Sequence, residues 1–164
     1  MARGVYVVEM SNVTIASAAP LTLVGIMPGT TRGLEIVRME ITQHGTATSA
    51  QCYARWWRQV TSFPTVTSTT PAPVSEGDAV SVIAGAATIA AGKSGVNASA
   101  EGAGAKTYIN GAAFNNLAGF LWLPSAQEKI FLAPSSASSF GLGLAAIPGS
   151  LANWSASVTF KEQD

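Results

Sequence analysis

Short runs of Val, Ile, Thr and aromatic residues recur along this chain, and clusters of Gly, Pro, Ser and Thr separate them. Apolar runs of this length that end at turn-forming residues are typical of β-strands, whereas an amphipathic helix needs a longer, differently spaced pattern. We therefore predict nine strands, at residues 5–15, 21–26, 34–43, 51–60, 106–109, 114–123, 129–132, 140–146 and 153–161. Eight or nine strands in 164 residues predict a single-domain, all-β protein. The architectures that fit are a two-sheet antiparallel sandwich, a Greek key and a jelly roll.

Charged residues are scarce in this sequence. Nine basic and nine acidic residues make up 11% of the chain and give it zero net charge, whereas a soluble domain typically has about 25% charged residues. A membrane span needs roughly 18 consecutive apolar residues, and disorder goes with high net charge. Neither pattern is present, so we expect a folded protein, without membrane association, whose surface is largely covered by partners. Zero net charge also argues against a nucleic acid partner, because phosphate binding relies on clustered Lys and Arg.

Few residues offer catalytic or metal-binding chemistry. His44 is the only histidine and lies beside Gly45 in a predicted turn, and Cys52 is the only cysteine. A nucleophile needs a base within hydrogen-bond reach, and a zinc site needs three or four ligands. We therefore expect no catalytic residues, no metal and no cofactor, and predict that the protein is not an enzyme. A lone cysteine cannot form an internal disulfide, which fits synthesis in a reducing cytoplasm.

Two predicted strands alternate regularly enough for their faces to be assigned. In the strand at 153–161 the apolar residues share one face: Trp154, Ala156, Val158 and Phe160. In the strand at 140–146, Gly141 and Gly143 share the face opposite the large apolar residues. Glycines on one face of a strand indicate that another group approaches the backbone closely there. A second sheet and a neighbouring subunit fit this pattern equally well.

A short polar segment joins the third and fourth predicted strands, which predicts a β-hairpin. Antiparallel pairing must place core-facing residues opposite one another, because a slip of one residue reverses the faces. The register that satisfies this rule puts Met39 opposite Trp56 in the core. On the outer face the same register puts Glu40 opposite Arg55, which predicts an ion pair.

Tyr53, Arg55 and Trp57 alternate with core-facing residues in the fourth predicted strand and should point outward. An outward tryptophan is commonly covered by a loop or a second layer of its own domain. Tyr, Trp and Arg are also the residues that dominate binding energy at protein interfaces. Two interpretations therefore stay open for Trp57, and the second makes Trp57, Tyr53 and Arg55 the candidate interface residues.

The chain divides into two regions. Residues 1–33 are predicted as an N-terminal strand or arm that packs on the domain or on a neighbour, and residues 34–164 as the sandwich domain. Residues 61–105 are rich in Thr and Pro in their first part and in Ala and Gly in their second. Prolines oppose a central strand, so we predict this segment as a long connection within the domain.

Three features give the chain a family resemblance from about Leu34 onward. They are the strand at 34–43 followed by the Arg- and Trp-bearing strand at 51–60, the Thr-Pro run at 69–74, and the closing segment with its strands at 114–123, 129–132 and 153–161. In these features the chain resembles the decoration or cement proteins of tailed bacteriophages. The resemblance implies a jelly-roll-like domain, commonly a homotrimer, bound to the major capsid protein on the outer surface of the virion. It also implies synthesis in the host cytoplasm and stabilisation of the capsid.

Two other classes of function are compatible with an all-β domain. A carbohydrate-binding jelly roll, as in an adhesin or a tail-fibre module, would present aromatic residues on one concave face, and Trp57, Tyr53 and Trp122 are the candidates. A cupin-like enzyme would need several histidines as metal ligands, and the chain has one.

Overall fold

The computed structural model describes residues 4–16 and 21–163, which form thirteen β-strands and no helix that could span a bilayer. The strands are β1 Val5–Val13, β2 Thr22–Ile26, β3 Gly33–Gln43, β4 Gln51–Val60, β5 Thr65–Ser68, β6 Ala72–Pro73, β7 Ala84–Gly85, β8 Lys93–Ala100, β9 Ala105–Asn115, β10 Phe120–Trp122, β11 Ile130–Leu132, β12 Ser138–Leu144 and β13 Trp154–Gln163. Residues 1–3 and 17–20 of the predicted N-terminal region, and residue 164, lie outside the described residues.

The strands form two sheets that pack face to face. Sheet 1 has six strands in the order β10–β3–β13–β1–β6, with β11 also paired to β3. Sheet 2 has seven strands in the order β5–β8–β2–β12–β4–β9, with β7 paired to β8. The pairing of β7 with β8 is parallel, and the other strand pairs are antiparallel. The predicted all-β antiparallel sandwich is thus confirmed.

One hydrophobic core fills the space between the sheets. Along β13, every second side chain from Trp154 to Phe160 is buried, and the side chains between them are partly exposed. Along β12, Phe140 and Leu142 are fully buried and point into the same core. The face assignments made for these two strands are therefore confirmed.

The hairpin predicted from β3 and β4 is wrong, because these strands belong to different sheets. Met39 on β3 pairs with Val158 in sheet 1, and Trp56 on β4 pairs with Leu142 in sheet 2. Met39 and Trp56 both face the core, but they reach it from opposite sides. When two consecutive strands lie in opposite sheets of a sandwich, their inward residues still face the same core. The alternation of core-facing residues therefore does not distinguish such a crossing from a hairpin.

The ion pair predicted between Glu40 and Arg55 is wrong for the same reason. Glu40 lies on the outer face of sheet 1, where it pairs with Arg38 and accepts a hydrogen bond from Ser157. Arg55 lies on sheet 2, and its guanidinium contacts tyrosine rings. The two residues therefore lie on opposite outer faces of the sandwich.

The segment 61–105 differs from the long connection predicted for it, because it contributes β5, β6, β7 and β8. Strand β8 has eight residues and pairs with β2 and β5 in sheet 2. The N-terminal strands β1 and β2 also lie inside the sheets, each with a neighbour on both sides. Both regions of the chain thus contribute to one sandwich.

The outer face of sheet 2 carries a row of glycines, since Gly95, Gly25 and Gly141 are neighbours on β8, β2 and β12. Ile89 lies over Gly25, with a side-chain carbon 3.0 Å from where a Cβ would be. Met27, Val66, Ile89 and Ala98 form a small second core there. The segment 61–105 therefore covers one end of this face, whereas Tyr53 on β4 and Tyr108 on β9 are 42% and 54% exposed at the other end.

Candidate interaction surface

Tyr53, Arg55 and Trp57 lie together on the outer face of sheet 2. They alternate along β4 with Ala54 and Trp56, which belong to the core. Strand β9 pairs with β4 and places Tyr108 opposite Trp57 on the same face. A β-bulge between Trp56 and Trp57 interrupts this pairing. The structure therefore brings the three candidate residues together and adds side chains from β9.

Trp57 is covered by its own chain and is 2% exposed. Its indole lies over Gly141 and Gly143, where a Cβ would be 2.6 Å and 2.8 Å from ring atoms. The Lys106 ammonium lies 4.5 Å from the ring centroid, and the Tyr108 ring packs edge-on at 6.0 Å. The close approach predicted for the two glycines is therefore made by Trp57 at Gly141, and by the Leu21 carbonyl together with Trp57 at Gly143. Trp57 can support an interface, but its side chain is too buried to contact a partner directly.

Arg55 is held between two exposed aromatic rings. Its guanidinium carbon lies 4.9 Å from the Tyr108 ring centroid and 5.5 Å from that of Tyr53. Arginine stacks well on aromatic faces, and such contacts hold the guanidinium in a fixed position. Within residues 4–16 and 21–163, Arg55 has no ion-pair partner. Arg55 thus presents a positive charge between two tyrosine rings, without an ion-pair partner among the described residues.

The apolar surface continues from Tyr53 toward the end of the sandwich. A cavity of about 250 Å³ lies there, lined by Tyr53, Ala113, Ile147 and Pro148 among others. Ile147 is 54% exposed. Apolar patches on the surface of a soluble protein mark sites of interaction when they are contiguous. We call the surface formed by Tyr53, Arg55, Tyr108 and Ile147 the Arg55 surface.

Glu101 holds two groups in place: Lys106, which lies over the Trp57 ring, and the start of β2. Its Oε1 accepts hydrogen bonds from the backbone N–H groups of Leu21 (2.8 Å) and Thr22 (2.7 Å). Its Oε2 accepts one from the Thr22 hydroxyl at 2.7 Å and pairs with Lys106. Burial acts to raise the pKa of Glu101, but the hydrogen bonds from Lys106 and Thr22 and the charge of Lys106 outweigh it, so the pKa is lowered. The carboxylate is therefore held in its charged form.

A Glu101→Gln variant should lose stability in a pH-dependent way. The folded pKa is below the unfolded pKa, so Glu101 stabilises the fold above pH 4–5 and this contribution disappears as the pH falls through the folded pKa. We expect the variant to be about 1–3 kcal/mol less stable at pH 7, since it loses charge-assisted hydrogen bonds. Urea unfolding at pH 7 and pH 3 measures the difference, which should shrink at pH 3. A difference that is equal at both pH values would contradict this account.

His44 lies on the opposite outer face, on sheet 1, at the end of β3. It is exposed, and its Nε2 lies 3.2 Å from Ser155 Oγ in a cavity of about 340 Å³ that Glu9 and Glu40 also line. Ser155 Oγ already accepts a hydrogen bond from Asn12 N–H at 2.8 Å. A catalytic pair also needs a third group that orients the base, and no hydrogen bond to His44 Nδ1 is present in the described part of the chain. The pair gives no argument for catalysis.

Cys52 and the acidic residues form neither a reactive thiol site nor a metal site in the described part of the chain. Cys52 is a free thiol whose pKa is raised by burial, which makes it less reactive. Across residues 4–16 and 21–163, no three His, Cys, Asp or Glu side chains come close enough to hold a metal ion.

Sequence reasoning missed the contribution of β9 to the Arg55 surface. A strand was predicted at 106–109, but which strand pairs with β4 could not be read from sequence, so Tyr108 and Lys106 were not placed beside Trp57. The three aromatics considered for carbohydrate binding do not share a face. Trp122 packs against Trp56, with ring centroids 5.9 Å apart, on the core side of β4. The aromatic pair that does share the outer face is Tyr53 and Tyr108.

The protein is therefore an all-β sandwich with exposed aromatic side chains and an arginine on one outer face. No family model, curated protein or solved structure matches this chain.

Proposed function

We propose that the protein is a structural virion protein, a decoration or cement subunit on the capsid of a tailed bacteriophage. It binds the major capsid protein on the outside of the head and stabilises the head by clamping neighbouring capsid subunits. The observation that carries the proposal is the Arg55 surface, where a cation that has no ion-pair partner among the described residues lies between two exposed tyrosine rings. Residues of these types are enriched among those that dominate protein–protein binding energy.

The scarcity of charge supports a role in repeated protein contacts. With 11% charged residues and zero net charge, copies of the chain do not repel one another at close spacing on a shell. Several weak contacts made by one oligomer also become collectively strong through effective concentration. We therefore include in the proposal that the protein is a homo-oligomer on the virion, which the family resemblance suggests is a trimer.

We also propose that the sandwich is a jelly roll, a fold of two sheets built from two Greek keys. The pairing order supports this: β10 and β11 pair with β3, then β13, then β1 in sheet 1, and β9 pairs with β4, then β12, then β2 in sheet 2. Consecutive strands such as β1 and β2, β3 and β4, and β12 and β13 alternate between the sheets. In this interpretation β5 to β8 are an insertion between β4 and β9.

A carbohydrate-binding role is the second candidate, and the exposed rings of Tyr53 and Tyr108 favour it. Aromatic faces stack on sugar rings, and Arg55 between them can donate hydrogen bonds to hydroxyl or carboxylate groups. Specific binding on a glycan array that is lost in a Tyr108→Ala variant, together with no affinity for capsids, would select this candidate over the first.

Co-sedimentation with capsids tests the decoration role. The wild-type chain should pellet with shells assembled from the major capsid protein of the same phage, and Arg55→Ala should weaken this binding by about 30-fold, the scale of an interface hot spot. Arg38→Ala is the matched control, because Arg38 is a half-exposed arginine on the other sheet. Binding that is absent in the wild type would refute the role. If Arg55→Ala and Arg38→Ala weakened capsid binding equally, the capsid contact would not lie at the Arg55 surface.

A further inference from the structure

Asn110 on β9 is followed by a glycine, and it is the only one of the six asparagines in the chain with this neighbour. The backbone nitrogen of the next residue can attack an asparagine amide, because the two groups lie close together on one chain and close a five-membered ring. A glycine favours this attack, since it has no Cβ to obstruct the ring and its backbone is the most flexible. Whether the pair reacts in the folded protein depends on how the fold holds it.

The Gly111 nitrogen lies on the open side of the edge strand β9. The carbonyl of Tyr53 accepts a hydrogen bond from Ala145 N–H at 2.8 Å, on the side of β12. Because backbone groups alternate along a strand, Arg55 also directs its backbone groups away from β9. Gly111 is paired with Arg55, so the Gly111 N–H points away from β4. The hydrogen bonds between the strands of sheet 2 therefore do not occupy this nitrogen.

The side chain of Asn110 is folded back onto this nitrogen. Gly111 N–H donates a hydrogen bond to Asn110 Oδ1 at 2.8 Å, and Asn110 is exposed to solvent. The amide carbon Cγ is one bond from Oδ1, so it lies beside the nitrogen that would attack it. A β-bulge interrupts the pairing of β9 with β4 directly before Asn110, and bulges locally disrupt the ladder. The two reacting groups are thus close together, reached by water and in a loosened part of the strand.

Two buried asparagines show the contrasting arrangement. Asn97 Oδ1 accepts a hydrogen bond from Ala16 N–H, and its Nδ2 donates to the Thr14 carbonyl. The amide of Asn116 is held in the same way, with Oδ1 accepting from Ala50 N–H at 2.7 Å. Neither residue is followed by glycine. Their amides are fixed by distant segments and are not turned toward the next nitrogen in the chain.

The fold requires the glycine at position 111. A Cβ there would lie 2.4 Å from Tyr53 Cε1 and 2.8 Å from the Ala54 carbonyl oxygen. A larger residue would therefore displace the Tyr53 ring or the backbone of β4. The glycine that allows the ring to close is thus the one on which Tyr53 of the Arg55 surface packs.

We propose that Asn110 is a site of self-modification, at which the chain converts this asparagine to aspartate and isoaspartate. The Gly111 nitrogen loses its proton to solvent and forms a bond to Asn110 Cγ. The bond from Cγ to the side-chain nitrogen breaks, and that nitrogen takes a proton from solvent and leaves as ammonia. Water then opens the succinimide ring at one of its two carbonyl carbons. Opening at Cγ gives aspartate, and opening at the backbone carbonyl leaves the chain linked through Cγ as isoaspartate.

The modification changes β9 beside the Arg55 surface. Isoaspartate adds one carbon to the backbone directly before Gly111, the residue on which the Tyr53 ring packs. Either product also adds a negative charge at a cavity of about 200 Å³ that Trp122 and Glu128 line together with Asn110. The proposal stands independently of the capsid role, since it rests on the local structure of β9 alone.

Incubation of the folded protein in water enriched in heavy oxygen, followed by peptide mapping with mass spectrometry, measures the reaction. One heavy oxygen should appear at residue 110, and an isoaspartate methyltransferase should methylate part of the product. The rate should be at least about tenfold higher at pH 8.5 than at pH 6, because the attacking nitrogen must lose its proton. Asn110→Gln should lower the rate by at least about tenfold, since the longer side chain must close a six-membered ring. Asn115→Gln is the matched control and should leave the rate at residue 110 unchanged, because Asn115 lies on the same strand and is not followed by glycine.

The same chain unfolded in urea is the reference for the contribution of the fold. The folded protein should react within about tenfold of the unfolded rate, because the fold already holds the amide beside the nitrogen. A folded protein that reacts more slowly than this would overturn the proposal, since its fold would then keep the two groups apart. Acidic product that forms equally fast in Asn110→Gln would overturn it as well, because the modified residue would lie elsewhere.

Discussion

A Trp57→Ala variant is expected to lose about 3–5 kcal/mol of its free energy of unfolding, the usual effect of removing a buried tryptophan. Trp57 is 2% exposed although it points away from the main core. Its ring fills the space above Gly141 and Gly143, which have no side chains to take its place. The variant would also remove the support of Lys106 and Tyr108, which contact the ring.

Urea unfolding followed by circular dichroism measures this loss, and two variants serve as controls. Trp57→Phe should cost less, because the Nε1–H of Trp57 is buried without a hydrogen-bond partner in the described part of the chain, and no hydrogen bond is lost with it. Tyr53→Ala should stay within about 1 kcal/mol of the wild type, since Tyr53 is 42% exposed. If the Trp57→Ala protein were as stable as the Tyr53→Ala protein, the conclusion that the buried Trp57 ring stabilises the fold would be wrong.

The second large effect is expected for Glu162→Ala, also about 3–5 kcal/mol, because removal of one member of a buried ion pair leaves its partners without compensation. Glu162 on β13 is fully buried, and its Oε2 lies 3.0 Å from Arg32 Nη1. Its Oε1 accepts hydrogen bonds from the Ser81 hydroxyl (2.5 Å) and from Val82 N–H (2.9 Å). The carboxylate thus holds the part of segment 61–105 around Ser81 and Val82 against sheet 1.

Thermal unfolding measures the stability of Glu162→Ala against that of Glu9→Ala. Glu9→Ala is the control, because Glu9 is an exposed glutamate in the same sheet. The Glu9 variant should change stability by less than about 0.5 kcal/mol. Limited proteolysis adds a local measurement, because the segment around Ser81 and Val82 should become sensitive to cleavage in Glu162→Ala. Equal behaviour of the two variants would show that the buried carboxylate does not hold this segment.

The alternation of residues predicted strand positions and faces well. The fourth strand was predicted at 51–60 and is found there, and the inward residues of β12 and β13 are those predicted. Glu162 was missed because the last strand was predicted to end at 161. If the alternation from Trp154 had been continued, position 162 would have been predicted to lie in the interior. A carboxylate in the interior must be paired with another buried polar or charged group.

The partners of each strand could not be read from the sequence. Alternation states which residues face the core, but Met39 and Trp56 face it from opposite sheets, and a hairpin satisfies the same rule. The strands within 61–105 were missed for a different reason. Strand β8 is built from small and polar residues such as Ser94, Gly95 and Asn97, which have weak strand propensity and are held by pairing with β2.

The composition of the Arg55 surface could not be predicted from the sequence either, because it depends on residues that are distant along the chain. Tyr53 and Arg55 were predicted to point outward, but the exposure of Arg55 and the burial of Trp57 are set by β9 and by Glu101, which lie about 50 residues further along the chain. Two glycines at 141 and 143 did indicate a close neighbour. Only the fold identifies the neighbours as Trp57 at both glycines and the Leu21 carbonyl at Gly143.

The strand order also constrains how the chain is made. Strand β13 lies between β1 and β3, and β12 lies between β2 and β4, so the centre of each sheet is supplied by residues 138–163. During synthesis β1 to β4 leave the ribosome well before their central neighbours exist. Folding must then wait for distant segments to meet, which makes it slow, and unpaired apolar strands stay exposed in the meantime. A nascent chain of this topology therefore depends on protection from self-association until its two central strands have been translated.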